Sequence, residues 1–210
     1  MTRYGKITAG LIAAWFVFSL TASALHLFRT DPSVPPLPLG LAAGIPIIVF
    51  LTWFAGSKGF REFVLSLNPR TLTIVQTWRI GGFTFLTLAA FGLLPRLFAW
   101  PAGFGDMAVG VTAPLVALTL ASGAHRKRFI VWQLLGITDL VTAVTLGTLA
   151  RVIIPHGIPT TPMTVLPLSM IPTFAVPLLL ILHLVCIAQA RRWPARETLR
   201  GEEPLHSAAA

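Results

Sequence analysis

Hydrophobic residues form six long stretches along the chain, separated by short polar or proline-containing segments. These stretches cover residues 7–28, 37–56, 71–94, 103–121, 129–150 and 163–190. Each is close to or above the ~20 apolar residues that an α-helix needs to cross the hydrocarbon core of a bilayer. The pattern therefore predicts an all-α protein, a polytopic six-transmembrane-helix bundle that forms a single integral membrane domain over residues 1–210.

A different pattern occupies the segment between the second and third stretches, at about residues 59–68. Phe60, Phe63, Val64 and Leu67 recur at helical spacing, and polar residues lie on the opposite face. One apolar face on a short helix is typical of a segment that lies in the membrane interface. We expect a short amphipathic helix there, anchored at the cytoplasmic surface.

The small number of charged residues supports a membrane protein, and their distribution predicts its orientation. The mean hydropathy is +0.79, and only 11% of the residues are charged, which leaves little for a water-soluble surface. Cytoplasmic loops of membrane proteins are enriched in Lys and Arg. With the N-terminus inside, three of these residues fall in outer loops, namely Arg29, Arg96 and Arg151. Twelve fall on the inside, namely Arg3, Lys6, Lys58, Arg61, Arg70, Arg126, Lys127, Arg128, Arg191, Arg192, Arg196 and Arg200.

This bias predicts that both termini are cytoplasmic and that residues 191–210 form a cytoplasmic tail. It also explains the net charge of +9 without nucleic acid, so we expect the lipid bilayer and no nucleic acid as a partner. The general appearance resembles that of small bacterial membrane proteins, which implies a multi-pass protein of the inner (plasma) membrane.

The first stretch has two interpretations. Arg3 and Lys6, an apolar run and Ala22-Ser23-Ala24 together resemble a cleavable signal peptide. The apolar run continues to Phe28, however, which is long enough to cross a bilayer. We favour an uncleaved first helix; cleavage would leave five spans and an external N-terminus.

Only three formally charged residues lie inside the six stretches: Arg79, Asp106 and Asp139. A single charge in the middle of a membrane costs at least ~2.5–3.5 kcal/mol on insertion scales, so pairing is expected. Arg79 and Asp139 lie near the centres of their stretches, with Gln76 one helical turn before Arg79. These positions predict a polar centre built on an Arg79–Asp139 ion pair.

Asp106 lies roughly 9 Å toward the outside if its helix begins at residue 103. In that position a carboxylate would cap the free N–H groups of the first turn, and this is the interpretation we favour. The alternative is that Asp106 is buried with Asp139 beside a single arginine. One of the two carboxylates could then exchange a proton.

Small residues recur on the same helix face as each aspartate. Gly103, Gly110 and Ala113 share a face with Asp106, and Gly136 and Gly147 are among those that share one with Asp139. Such faces allow close helix packing in lipid, so each aspartate is expected to point at another helix. The repeated Gly-x-x-Asp-x-x-x-small pattern would also fit an inverted repeat. Because short matches arise easily by chance in Gly/Ala-rich helices, we favour a chance match.

No cofactor or metal site is expected. His26 and His183, the only histidines in the stretches, differ in depth by roughly 20 Å, which is too far for a shared haem. His183 and Cys186 supply only two potential metal ligands, so a core histidine hydrogen-bonded to a neighbour is the expected role.

Two functions therefore remain open. The first is a small transporter or channel-like subunit, in a proton-linked form or not, with Arg79, Asp139, Gln76 and Asp106 along its path. It would act on a small solute or a proton, and a homodimer would place that path at a subunit interface. The second is a non-transporting accessory, assembly or sensor protein in which the ion pair is structural. Because no catalytic set is present, an enzyme is the less favoured class.

Overall fold

The computed structural model describes residues 2–31, 36–153 and 156–193. All regular secondary structure in these ranges is helical. Most of the predicted tail lies outside them, since residues 194–210 are not described.

Eight α-helices and four other helical segments follow one another along the described ranges. The α-helices are α1 (Arg3–Ala24), α2 (Leu37–Gly56), α3 (Lys58–Ser66), α4 (Pro69–Val75), α5 (Phe83–Ala90), α6 (Arg96–Thr119), α7 (Arg126–Ile153) and α8 (Val176–Ala190). The other segments are the 3₁₀-helices Gln76–Gly82, Gly123–His125 and Thr161–Thr164, and the π-helix Ile171–Ala175.

Five helical segments of the described chain are long and apolar enough to cross a membrane. They correspond to α1, α2, α6, α7 with its preceding turn, and the π-helix with α8. Large apolar side chains such as Val17, Ile48 and Leu118 are exposed on their outer surfaces. This exposure suits contact with lipid better than contact with water. The prediction of an all-helical chain is therefore confirmed for the described residues, and five of its helical segments are long and apolar enough to cross a membrane.

The third predicted span is divided into three helical segments. Residues 69–90 run through α4, the 3₁₀-helix Gln76–Gly82 and α5 without a gap. The 3₁₀-helix contains the pair Gly81-Gly82, and glycine lowers α-helical propensity. A 3₁₀-helix is also thinner than an α-helix, so the middle of this span can approach its neighbours closely.

The sequence interpretation placed two helix starts incorrectly. α6 begins at Arg96, seven residues before the predicted residue 103, because Pro101 is accommodated inside the helix. The last span begins later than residue 163, because residues 165–169 separate the 3₁₀-helix Thr161–Thr164 from Met170 and the π-helix. The two corrections place Asp106 near the middle of α6 and His183 near the middle of α8.

α3 confirms the helix predicted at about residues 59–68, but protein covers its apolar face. Phe60 is only 2% exposed and lies flat against Trp53, with ring centroids 3.8 Å apart. Tyr4 of α1 and Val185 of α8 belong to the same apolar cluster. The helix therefore packs against α1, α2 and α8, and its apolar face is not available to lipid.

α1 is attached to the rest of the bundle through a carbonyl group that a proline leaves free. Pro177 has no N–H group to donate to the carbonyl of Thr173, four residues earlier. Trp15 Nε1 donates to this oxygen at 3.0 Å, and Ser19 Oγ donates to it at 3.4 Å. The widened π turn thus provides the attachment point for α1.

Candidate functional site

A charged centre lies at the middle of the bundle, where the 3₁₀-helix Gln76–Gly82 crosses α6. Arg79 is near the midpoint of residues 69–90, and its side chain is 1% exposed. Gly110 of α6 faces the backbone of Arg79 and Ile80 so closely that an added Cβ would collide with it. The two helices can therefore cross only because residue 110 has no side chain.

Both buried aspartates contact Arg79. Arg79 Nε donates to Asp106 Oδ1 at 2.7 Å, and Arg79 Nη2 donates to Asp139 Oδ2. The carboxylate side chains are 16% and 15% exposed, so both are largely removed from solvent. The guanidinium is thus held between a carboxylate of α6 and a carboxylate of α7.

The helix-cap interpretation of Asp106 is wrong. Because α6 begins at Arg96, Asp106 is the eleventh residue of the helix, and it lies near the middle. At this depth its carboxylate is level with Arg79, since the seven-residue shift corresponds to roughly 10 Å of helical rise. The alternative, that Asp106 shares the arginine with Asp139, describes the geometry.

The remaining guanidinium nitrogen fixes the tautomer of His183. Arg79 Nη1 donates to the carbonyl of Gly136 at 3.2 Å and contacts His183 Nε2 at 3.1 Å. Since arginine has no acceptor, His183 Nε2 must be the acceptor, and the ring proton must be on Nδ1. His183 Nδ1 then donates to Gln133 Oε1 at 2.5 Å.

Hydrogen bonds continue from His183 toward the start of α4. Gln133 Nε2 donates to Thr73 Oγ1 at 3.4 Å, and Thr73 Oγ1 donates to the carbonyl of Pro69 at 2.8 Å. All donors along this chain point away from Arg79. Cys186 Sγ lies 3.9 Å from Thr73 Oγ1, so the cysteine belongs to the same network.

The structure brings together three of the four residues predicted for the polar site. Gln76 is buried, but its Nε2 donates to the carbonyl of Leu179 at 3.1 Å, and no hydrogen bond to Arg79 is found in the described ranges. Two contributors were not predicted for this site, His183 and Gln133. Gln133, Gly136 and Asp139 recur every three residues on α7, and this spacing is the signal that could have identified Gln133.

Glycines keep the charged centre compact. A Cβ at Gly105 would collide with the Asp139 carboxylate, and a Cβ at Gly136 would enter the His183 ring. At Gly82 it would lie 2.5 Å from Asp106 Cβ. The small-residue faces predicted on α6 and α7 therefore do more than allow helix packing, because they also make room for the ion pairs.

A partly open cavity of about 270 Å³ reaches the centre from one half of the molecule. Its walls include Leu37 and Ala43 of α2, Leu140 and Ala143 of α7, and Thr160, Met163 and Thr164 of the α7–α8 connection. The lining is predominantly apolar, and Asp106 is the only charged residue among its described members. One member of the charged centre is therefore accessible from the cavity.

Apolar side chains fill part of the opposite half of the bundle. Phe129, Cys186, Val116 and Ala190 form a buried apolar cluster near the start of α7 and the end of α8. Phe129 is 0% exposed. The cavity therefore approaches the charged centre from the side of the α7–α8 connection, and the Phe129 cluster lies on the other side.

The region that contains this centre matches a protein-family model. A family model described as "Domain of unknown function (DUF8737)" matches residues 35–191. The chain belongs to this family. The match begins just before α2 and ends just after α8, so it includes Arg79, Asp106, Asp139 and His183 and leaves out α1. No curated protein and no solved structure matches the chain.

Gly136→Ala should test how tightly the centre is packed. The added methyl group collides with the His183 ring, and overpacking of this kind typically costs ~1–3 kcal/mol. We expect a lower unfolding midpoint in detergent. Gly10→Ala is the matched control, since nothing lies within 4 Å of its added Cβ. Equal midpoints for the two variants would contradict the packing described for His183.

Proposed function

We propose that this protein is a small transporter or channel-like subunit with six membrane spans and cytoplasmic termini. Besides the five long helical segments, the additional span would be the third in chain order, residues 69–90, which comprises α4, the 3₁₀-helix and α5. Its 22 residues correspond to at least ~33 Å, enough to cross a hydrocarbon core. The distribution of Lys and Arg supports the orientation, with twelve residues on one side and three on the other.

The observation that carries the functional proposal is the double role of Asp106. It shares Arg79 with Asp139, and it also lines the cavity. A transported species that enters the cavity would thus meet a carboxylate that belongs to the charged centre. Buried ionisable residues of this kind are typical of ion and proton pathways in membrane proteins.

Charge balance gives a reason for proton linkage. Two carboxylates and one guanidinium carry a net charge of −1 when both acids are ionised, and His183 is neutral in the tautomer that Arg79 imposes. An uncompensated charge is expensive in apolar surroundings, so a proton on one carboxylate would restore neutrality. Release and uptake of this proton would couple the centre to the solution.

Access from one side also supports transport. Alternating-access transporters expose a central site to one side of the membrane at a time. Here the cavity lies in the half of the molecule that the proposed topology places outside, and the buried Phe129 cluster lies in the inner half. The conformation would be the outward-facing one, and the homodimer expected from the sequence stays a prediction.

A second candidate function is structural, as an accessory, assembly or sensor protein. It is favoured by the nearly complete burial of Arg79 and by the hydrogen bonds at all three guanidinium nitrogens. In this case the ion pairs would fix the helix register and would exchange no proton. Proton movement distinguishes the two candidates.

The topology can be tested with reporters at three positions. A reporter fused after Ala210 or inserted at Gly123 should report a cytoplasmic location, and one inserted at Gly157 should report an external location. These outcomes follow from six spans with the basic residues inside. A cytoplasmic location of Gly157 would overturn the span count.

Proton linkage can be tested in liposomes that contain the purified protein. Under an imposed membrane potential, we expect proton movement that falls to the level of empty liposomes in Asp139→Asn. Glu62→Gln is the matched control, because it also converts a carboxylate to an amide but lies exposed on α3. It should behave like the parent. Absence of movement in the parent, or unchanged movement in Asp139→Asn, would instead favour the structural role.

A further inference from the structure

The cavity has the features of a binding site for an apolar molecule with a positively charged end. Aliphatic and aromatic side chains form most of its wall, including Phe85, Leu140 and Ala143. Its volume of about 270 Å³ is near the lower end of the ~300–1,000 Å³ that is usual for ligand pockets. A small ligand with an apolar body would therefore fit.

Asp106 determines which polar group this ligand would carry. Its Oδ1 accepts from Arg79, whereas within the described residues no hydrogen bond to its Oδ2 is found. A carboxylate oxygen in an apolar wall favours a hydrogen-bond donor, and a cationic donor makes the stronger bond. An anionic ligand would be repelled, since the two carboxylates outnumber the single arginine.

The other charged or titratable groups at the centre do not compete for this role. Each nitrogen of the Arg79 guanidinium already has a partner, Asp139 contacts it from α7, and His183 of α8 contacts it from the opposite half. These three residues and Asp106 are the groups that set the charge of the centre. A cationic ligand at Asp106 would neutralise the same excess negative charge as a proton would.

We propose that the cavity binds small amphiphilic amines, with the apolar body between α2 and α7 and the ammonium group at Asp106. This inference rests on the proposed transport function and names its substrate class. Protons and amines would compete for one carboxylate, so binding of the amine would displace a proton from the centre to the solution. This competition would couple the movement of the amine to the movement of the proton.

The test uses 2-phenylethylamine and its neutral counterpart of the same shape, 2-phenylethanol. Binding to the full-length protein in detergent is measured by calorimetry between about pH 5 and about pH 8, where an alkylamine stays protonated, as lysine does. The amine should bind on the order of tenfold more tightly than the alcohol, a difference of ~1.4 kcal/mol. The affinity for the amine should rise with pH as protons stop competing, and the affinity for the alcohol should not.

Three variants make the assignment specific. Asp106→Asn should remove the preference for the amine, and Ala143→Phe, which fills the cavity without changing the charge, should weaken the binding of both compounds. Glu62→Gln should bind like the parent. Since each variant is also checked for folding by its unfolding midpoint, a collapsed Asp106→Asn leaves Ala143→Phe and the comparison of the two compounds as the decisive results.

Equal binding of amine and alcohol, absence of binding to the parent, or an amine preference that survives in Asp106→Asn would overturn the assignment. These results would leave the proposed transport function standing if Asp139-dependent proton movement is still seen in liposomes. Amine binding without any proton movement would have the opposite meaning, because it would retain the binding site and reject proton-linked transport.

Discussion

The structure depends on one constraint, the permanent charge of Arg79 at the middle of an apolar bundle. A guanidinium cannot be deprotonated in a protein, so this charge has to be balanced by other groups. Carboxylates from α6 and α7, the carbonyl of Gly136 and the His183 ring provide the partners. Four helical segments are thereby fixed at one depth, and the glycines at positions 82, 105, 110 and 136 keep them close enough.

Much of this arrangement could be predicted from the sequence. Hydrophobic patterning located the long helices, and the three isolated charges identified the centre, because charges inside apolar stretches need partners. The Asp139–Arg79 contact followed from similar depths. The position of Asp106 could not be predicted, since Pro101 and Gly103 usually mark a helix start, whereas here both lie inside α6. A seven-residue error in a helix end was enough to move Asp106 away from its partner.

The sequence pattern also could not predict that the third span is divided into three helical segments. Hydrophobic periodicity does not distinguish a 3₁₀-helix from an α-helix within an apolar segment, although Gly81-Gly82 weakens the α-helix locally. The hydrogen bonds of His183 and Gln133 depend on how α7 and α8 pack, which is a tertiary property. The cavity has the same origin, because it lies where α2 and α7 are kept apart rather than in any one helix.

The two halves of the bundle differ in what surrounds the charged centre. The half with the α7–α8 connection contains the cavity, and the other half contains the buried Phe129 cluster and a polarised hydrogen-bond chain. Gln133 lies in that chain, and an amide group does not relay protons as water or a carboxylate does. Under the proposed transport function, release to the cytoplasmic side would therefore need a rearrangement around His183.

The most direct test of the shared arginine is a pair of double-mutant cycles, Arg79→Gln with Asp106→Asn and Arg79→Gln with Asp139→Asn, scored by unfolding in detergent. Breaking a buried pair by removing one partner typically costs ~3–5 kcal/mol, and less where a second partner remains. We expect each single aspartate variant to lose less free energy of unfolding than the variant with both aspartates replaced. Both cycles should show a coupling energy of ~0.5–3 kcal/mol. Additive losses in either cycle would contradict the account, because the aspartate concerned would then not share Arg79.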